Sequence, residues 1–151
     1  MNAHIHPPVR ILCIGSPHEP DNLGFLTAHA LIGHFDPDKV EVLALDRPGP
    51  RLIEHMRGAD TVILVDAVKS GAKPGSLHRL EGRALDSLVA HHTSSHGFGL
   101  AETLALAEKM DELPPHLEFV GLEVGTNPPA ADEIVLLVNA VTEAALQAQE
   151  A

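Results

Sequence analysis

Two largely apolar runs most constrain what this chain can fold into. Residues 9–14 read VRILCI and residues 61–65 read TVILV, each about the length of one strand. A strand that is apolar on both faces needs cover on both sides, which is typical of parallel strands between two layers of helices. The two runs therefore predict a buried, mostly parallel sheet.

The remaining segments alternate between strand and helix patterns. Apolar residues alternate in residues 40–45 (VEVLAL), and turn-forming proline and glycine follow them. We predict strands at residues 9–14, 40–45, 61–65, 76–80 and 117–122, and helices at residues 22–35, 51–57, 97–110 and 130–149. This order predicts an α/β fold, a three-layer α/β/α sandwich with a mostly parallel five-stranded sheet, in a single domain over residues 1–151.

Helical spacing also predicts which side chains of the first and last helices face inward. The inward positions of the first helix are predicted to be Leu23, Leu26, Ala30 and either Leu31 or Phe35. Those of the last helix are predicted to be Ile134, Leu137, Val138, Val141 and Ala145.

The charge and composition exclude several classes of function. The formal net charge is −11, with ten basic residues against 21 acidic ones, which argues against a nucleic-acid partner. The chain has no Trp, no Tyr and four Phe, so it offers few surfaces on which a flavin or a base could stack. No apolar run reaches the roughly 20 residues of a membrane span, and the first residues lack a signal-peptide pattern. We expect a cytoplasmic protein with no membrane partner, in which the single cysteine, Cys13, fills the core.

Acidic residues follow three of the predicted strands. Asp21 lies in the turn after the first strand, Asp46 follows the second, and Asp66 is predicted to end the third. In open α/β sheets, ligands bind beyond the carboxyl ends of the strands. Neighbouring strands would bring these carboxylates into one crevice, where like charges favour a bound cation.

His96 is the candidate nitrogen ligand for such a cation. It stands at the start of a predicted helix, whose dipole disfavours the imidazolium and keeps the ring neutral, as a metal ligand must be. Carboxylates with one imidazole suit Ni, Zn, Fe or Mn. Each residue also has a purely structural interpretation: Asp21 as a helix cap, Asp66 as a strand end and His96 as a surface residue.

In order and spacing, these motifs resemble the hydrogenase maturation endopeptidases, which remove a C-terminal extension from the large subunit of nickel–iron hydrogenases. The resemblance covers residues 9–145. It is carried by Gly15, by Asp21-Asn22-Leu23-Gly24, by Asp46, by VILVDAV around Asp66 with KPG at 73–75, by SSHGFGL around His96, and by FVGLEV near the last strand.

The resemblance implies the chemistry of the site. It implies that Asp21, Asp66 and His96 contact a metal and that Asp46 contributes to catalysis without touching it. It also implies a hydrolase, an aspartic-type or metal-dependent endopeptidase whose partner is the precursor of the hydrogenase large subunit. Nickel would arrive in that precursor, and other divalent cations can substitute for it. We expect the protein to act as a monomer.

Two departures from the family pattern leave alternatives open. The first turn, Gly15-Ser16 to Pro20-Asp21, is one residue shorter than usual, so Glu19 is an alternative ligand to Asp21. The turn after Asp46 reads RPGP instead of a Gly-Thr-x-Gly-like sequence. The alternative function is a non-catalytic α/β module that binds a metal or a partner and has lost cleavage. A flavodoxin-like nucleotide or flavin domain is a third reading, disfavoured because the phosphate loop is missing.

Overall fold

The computed structural model describes residues 7–18, 21–82, 84–85, 92–93 and 99–150. Its strands are β1 (Val9–Gly15), β2 (Val40–Asp46), β3 (Thr61–Lys69), β4 (Leu77–Glu81), β5 (His92–Thr93) and β6 (His116–Glu123). Its helices are α1 (Leu23–Leu31), α2 (Leu52–Met56), α3 (Leu100–Lys109) and α4 (Ala131–Glu150), and a 3₁₀ turn at Gly49–Arg51 precedes α2. The predicted alternation of strands and helices is confirmed.

The sheet has the strand order β2-β1-β3-β6-β4. The pairs β1–β2, β1–β3 and β3–β6 are parallel, and β4 runs antiparallel to β6. Strand β5 has two residues, pairs antiparallel with the end of β3, and was not predicted from the sequence. The predicted five-stranded, mostly parallel sheet is therefore correct, with β5 as a small addition.

Helices cover both faces of the sheet. On one face, Leu23 and Leu31 of α1 and Leu137 and Val141 of α4 pack in one apolar cluster with alternate residues of β1, β3 and β6. On the other face, residues of α2 and α3 pack with the intervening strand residues in a second cluster. Strands β1 and β3 are buried on both faces because each cluster covers one side of them.

Helix α1 is shorter than the predicted span of residues 22–35. It ends at Leu31, and Ile32 and Gly33 follow, with Gly33 at a φ of 83° that suits glycine. The predicted inward positions Leu26 and Ala30 are wrong, because both are exposed. Thr27 and Ala28 are buried instead. The predicted face of α4 is correct: four of its five positions are buried, and Ile134 packs against the same cluster.

Strand β3 is longer than predicted. It extends four residues past Val65, to Lys69, because β6 pairs with it as far as Val68 and β5 pairs with Val68 and Lys69. Within the described ranges, no helix is both long and apolar enough to cross a bilayer.

Candidate metal site at the carboxyl edge of the sheet

Asp21 lies in a tight turn between β1 and α1. The Ser16 amide donates a hydrogen bond to the Asp21 carbonyl oxygen at 3.1 Å. A Cβ atom at Gly15 would lie 2.6 Å from that oxygen, and one at Gly24 would collide with the carbonyl oxygen of Ile14. The turn and the start of α1 can pack this closely against β1 because both positions are glycine.

The Asp21 carboxylate meets a cation from the neighbouring strand. The Nζ atom of Lys69, the last residue of β3, lies 3.1 Å from Asp21 Oδ1. The Asp21 side chain is 11% exposed, whereas that of Lys69 is 42% exposed. The ion pair therefore joins a nearly buried anion to a cation that reaches solvent.

The sequence predicted that Asp66 ends the third strand. In the structure, Asp66 lies inside β3 instead. It is fully buried, and its Oδ1 accepts a hydrogen bond from the Ala67 amide at 2.8 Å. It follows Val65, which pairs with Cys13 of β1. Asp66 lies within the part of β3 that pairs with β6, and its charge acts on Cys13 of β1.

Cys13 is a buried thiol with no exposed surface, as predicted. Burial, reinforced by the negative charge of Asp66, raises the pKa of Cys13 to about 12. A thiol with such a pKa stays protonated at neutral pH, so it is a poor nucleophile and a poor metal ligand.

Asp46 ends β2, as predicted, and pairs with Gly15 across the β1–β2 register. Its side chain is half exposed and binds Arg47, with Arg47 Nε 2.7 Å from Asp46 Oδ1. The hydrogen bond and the charge of Asp46 raise the pKa of Arg47 further above its usual value. The turn after Asp46, which reads RPGP instead of the family's Gly-Thr-x-Gly-like sequence, therefore gives Asp46 a cationic neighbour, Arg47.

The structure brings the predicted site together in part. The order β2-β1-β3 makes the three acidic strands neighbours, as the prediction required. Among the residues that the structure describes, however, no three His, Cys, Asp or Glu side chains are close enough to hold a metal ion. His96 and Glu19 both lie outside the described residues. The choice between Glu19 and Asp21 as ligand, and the role of His96, remain predictions.

Glu123 is an acidic residue at the same edge that sequence reasoning missed. It ends β6 and is 2% exposed. Its Oε2 accepts hydrogen bonds from the amides of Ser70 (2.8 Å) and Gly71 (3.2 Å). Its Oε1 lies 2.6 Å from Ser70 Oγ and 3.1 Å from His78 Nε2. An acidic residue after an apolar run was the signal that identified Asp46, and it was equally present here.

Hydrogen bonds decide the charge state of Glu123. Burial alone would raise its pKa, but the hydrogen bonds from Ser70, His78 and Gly71 together bring the pKa below the ordinary value of 4.5. Glu123 therefore stays ionised and ties the loop after β3 to β4 and β6. Ser70 and His78 both contact this carboxylate, an arrangement that differs from the serine–histidine–acid chain of a serine protease.

A cleft of about 570 Å³ lies beside Lys69 and Glu123, walled by Pro74, Val124 and Thr126. A larger cleft of about 770 Å³ lies elsewhere, between the end of α1 and the start of β2, and is lined by Ile32, Phe35 and other residues remote from the acidic edge. Because Lys69 and Glu123 of the acidic edge border the smaller cleft, that cleft is the better candidate for a substrate segment.

Comparison with known proteins gives a consistent result. A family model described as hydrogenase maturation protease matches residues 26–150. The hydrogenase expression/formation protein HupD of Thiocapsa roseopersicina is 31% identical over 120 residues, which are 78% of this chain and 54% of that protein. HupM of Azotobacter chroococcum mcd 1 is 32% identical over 88 residues, 58% of this chain and 42% of that protein. The chain spans about half the length of the curated relatives that it matches.

Solved structures share the fold over nearly the whole chain. The hydrogenase maturating endopeptidase HybD from E. coli is 25% identical, with a TM-score of 0.76 over 92% of each chain. The [NiFe] hydrogenase maturation protease HybD from Thermococcus kodakarensis is 24% identical, with a TM-score of 0.65 over 92% of this chain and 97% of that one. At this identity the second likeness supports the fold alone.

Proposed function

The chain belongs to the hydrogenase maturation proteases, and from that premise we propose that it is an endopeptidase that removes the C-terminal extension of a nickel–iron hydrogenase large-subunit precursor. In this proposal the nickel is part of the substrate: it has been inserted before cleavage, and the enzyme recognises it. The observation that carries the proposal is the nearly buried Asp21 carboxylate, which already meets a cation at the carboxyl edge of the sheet.

The described donors, Asp21 and Asp66, suit a divalent metal that the precursor already holds. Asp21 and Asp66 supply carboxylate oxygens from neighbouring segments of the chain, and the Lys69 ammonium shows that a positive group is accommodated beside Asp21. Carboxylates with one imidazole suit nickel among the transition metals. We assign Asp21, Asp66 and His96 as its contacts and Asp46 as a catalytic group beside them.

Cleavage in this proposal uses water. The water oxygen bonds to the scissile carbonyl carbon, the carbon–nitrogen bond breaks, and the released amine takes up a proton from that water, which leaves a carboxylic acid on the other fragment. The precursor's nickel would supply Lewis-acid character near this reaction. Cys13 is unsuited to act as the nucleophile because it is buried and its pKa is about 12. The hydroxyl of Ser70 is held by Glu123, which is a weak base for activating it.

The direct test is to incubate the protein with a nickel-loaded precursor and to measure the mass of the released peptide. We expect one peptide from the loaded precursor and none from the same precursor without nickel. The double variant Asp66→Ala with His96→Ala should release no peptide. A matched control is Asp60→Ala with His116→Ala, because both of these residues are exposed at the opposite edge of the sheet.

Two results would contradict the proposal. Processing that survives the double substitution at Asp66 and His96 would exclude the assigned site. A wild-type protein that binds the loaded precursor but releases no peptide would favour the alternative, a binding module of the same fold that has lost cleavage.

A further inference from the structure

Lys69 is a cation placed against a residue assigned to bind a metal. It is the last residue of β3, three positions after Asp66, and its Nζ lies 3.1 Å from Asp21 Oδ1. Two strand segments must meet to form this pair, since Asp21 follows β1 and Lys69 ends the adjacent strand β3. The contact is therefore a product of the fold and not of neighbouring residues in the sequence.

The negative charge around Asp21 makes the position of the Lys69 ammonium important for metal binding. The chain carries a formal net charge of −11, and Asp21 and the fully buried Asp66 both lie where β1 and β3 approach their carboxyl ends. Carboxylates in a region of negative potential attract free divalent cations. The Lys69 ammonium offsets the charge of Asp21, so a free ion has to compete with it for the same oxygen.

We propose that Lys69 is a specificity-determining residue that screens the site against free divalent cations. Its ammonium contacts Asp21 Oδ1, so a free metal ion would compete with it for that oxygen. A free hydrated ion gains too little to displace it, whereas a metal held in the precursor brings the binding energy of the whole docked protein. The inference rests on the proposed function only in taking Asp21 as a metal contact.

The side chain of Lys69 is suited to being displaced. Lysine has a flexible four-carbon stem, and this one is 42% exposed, so its ammonium can turn into solvent when a metal ion arrives. The pair of Asp46 and Arg47 differs, because its two members are adjacent in one turn and both are about half exposed. Of these two pairs, the one formed by Lys69 covers a nearly buried carboxylate.

The test measures Ni²⁺ binding to the full chain by isothermal titration calorimetry at low ionic strength. Lys69→Met should bind Ni²⁺ about fivefold more tightly than the wild type, since it removes a competing ion pair of the partly exposed kind. In the Asp21→Asn background the same substitution should give no gain. Histidines elsewhere in the chain contribute to all four proteins and cancel in this double-mutant cycle.

Lys39→Met is the matched control. Lys39 is exposed and directly precedes β2 at the amino edge of the sheet, so its substitution changes the net charge equally without touching Asp21. Its affinity for Ni²⁺ should stay within about twofold of the wild type. Lys69→Gln guards against a folding defect specific to methionine and should also bind Ni²⁺ more tightly than the wild type.

Three outcomes would overturn the inference: unchanged or weaker binding by folded Lys69→Met and Lys69→Gln, an equal gain in Lys39→Met, or a gain that persists without the Asp21 carboxylate. The measurement uses Ni²⁺ alone and no precursor. A failure of peptide release would therefore count against the proposed function, and an absent coupling between Lys69 and Asp21 would count against this inference.

Discussion

Two nearly buried carboxylates at the same edge of the sheet are held in different ways. Glu123 receives hydrogen bonds from backbone amides of the loop after β3, from Ser70 Oγ and from His78. Asp21 is paired with the ammonium of a half-exposed lysine. The donors to Glu123 are fixed by the fold, whereas the lysine can move away. The comparison indicates that Glu123 stabilises the edge, and it supports the proposal that Asp21 exchanges the lysine for a metal ion.

The largest expected effect separates the two carboxylates by activity. Asp21→Asn should reduce peptide release from a nickel-loaded precursor by at least about 100-fold, because even residues that only orient metal ligands contribute 10- to 100-fold. It should cost less than about 1 kcal/mol of unfolding free energy, since the ion pair is partly exposed. Glu123→Gln, assayed below its unfolding temperature, should retain most of the activity. Equal losses of activity in the two variants would remove the distinction.

The next effect separates them by stability. Glu123→Ala leaves the Ser70 and Gly71 amides without their acceptor and should lower the free energy of unfolding by about 2 kcal/mol in urea denaturation. Glu123→Gln should cost less, because its amide group can face Ser70 Oγ and His78, which can both act as acceptors. Glu108→Ala, at an exposed position of α3, is the control. A negligible loss in Glu123→Ala would show that the hydrogen bonds contribute little.

The pH dependence of stability tests whether ionised Glu123 stabilises the folded protein. The pKa of Glu123 is lower in the folded protein than its ordinary value of 4.5, because its hydrogen bonds outweigh its burial. Its contribution to stability is complete above pH 4.5 and is lost as the pH falls through the folded pKa. Urea denaturation of the wild type across this acid range should show that loss, and Glu123→Gln should show a smaller one. Parallel curves for the two proteins would contradict the assignment.

The smallest effect concerns Cys13, whose pKa is raised in part by the charge of Asp66. Cys13→Ala should lower stability by about 1 kcal/mol, since it removes one buried sulfur atom from the core. Peptide release should stay within about twofold, because a thiol with a pKa of about 12 takes no part in the chemistry. Iodoacetamide should likewise leave the activity of the native protein intact. A large loss with either treatment would make Cys13 a catalytic candidate.

The sequence alone determined the architecture and the candidate residues. Apolar runs such as residues 61–65 need cover on both faces of the strand. A parallel sheet between two layers of helices therefore followed from burial. The position of Asp46 at a strand end followed from the same local pattern. The extent of β3 did not, because residues 66–68 became strand through pairing with β6, a partner about 55 residues away along the chain, and Lys69 through pairing with β5.

Only the tertiary structure decided which charges meet. The pair of Lys69 with Asp21 and the hydrogen bonds of Glu123 to the loop after β3 join segments 48 to 53 residues apart. No periodicity or spacing encodes such contacts, since they depend on strand order and on where each strand ends. The sequence supplied the acidic residues at the carboxyl edge, and the packing of the sheet decided that Glu123 is anchored by hydrogen bonds and that Asp21 faces the Lys69 ammonium.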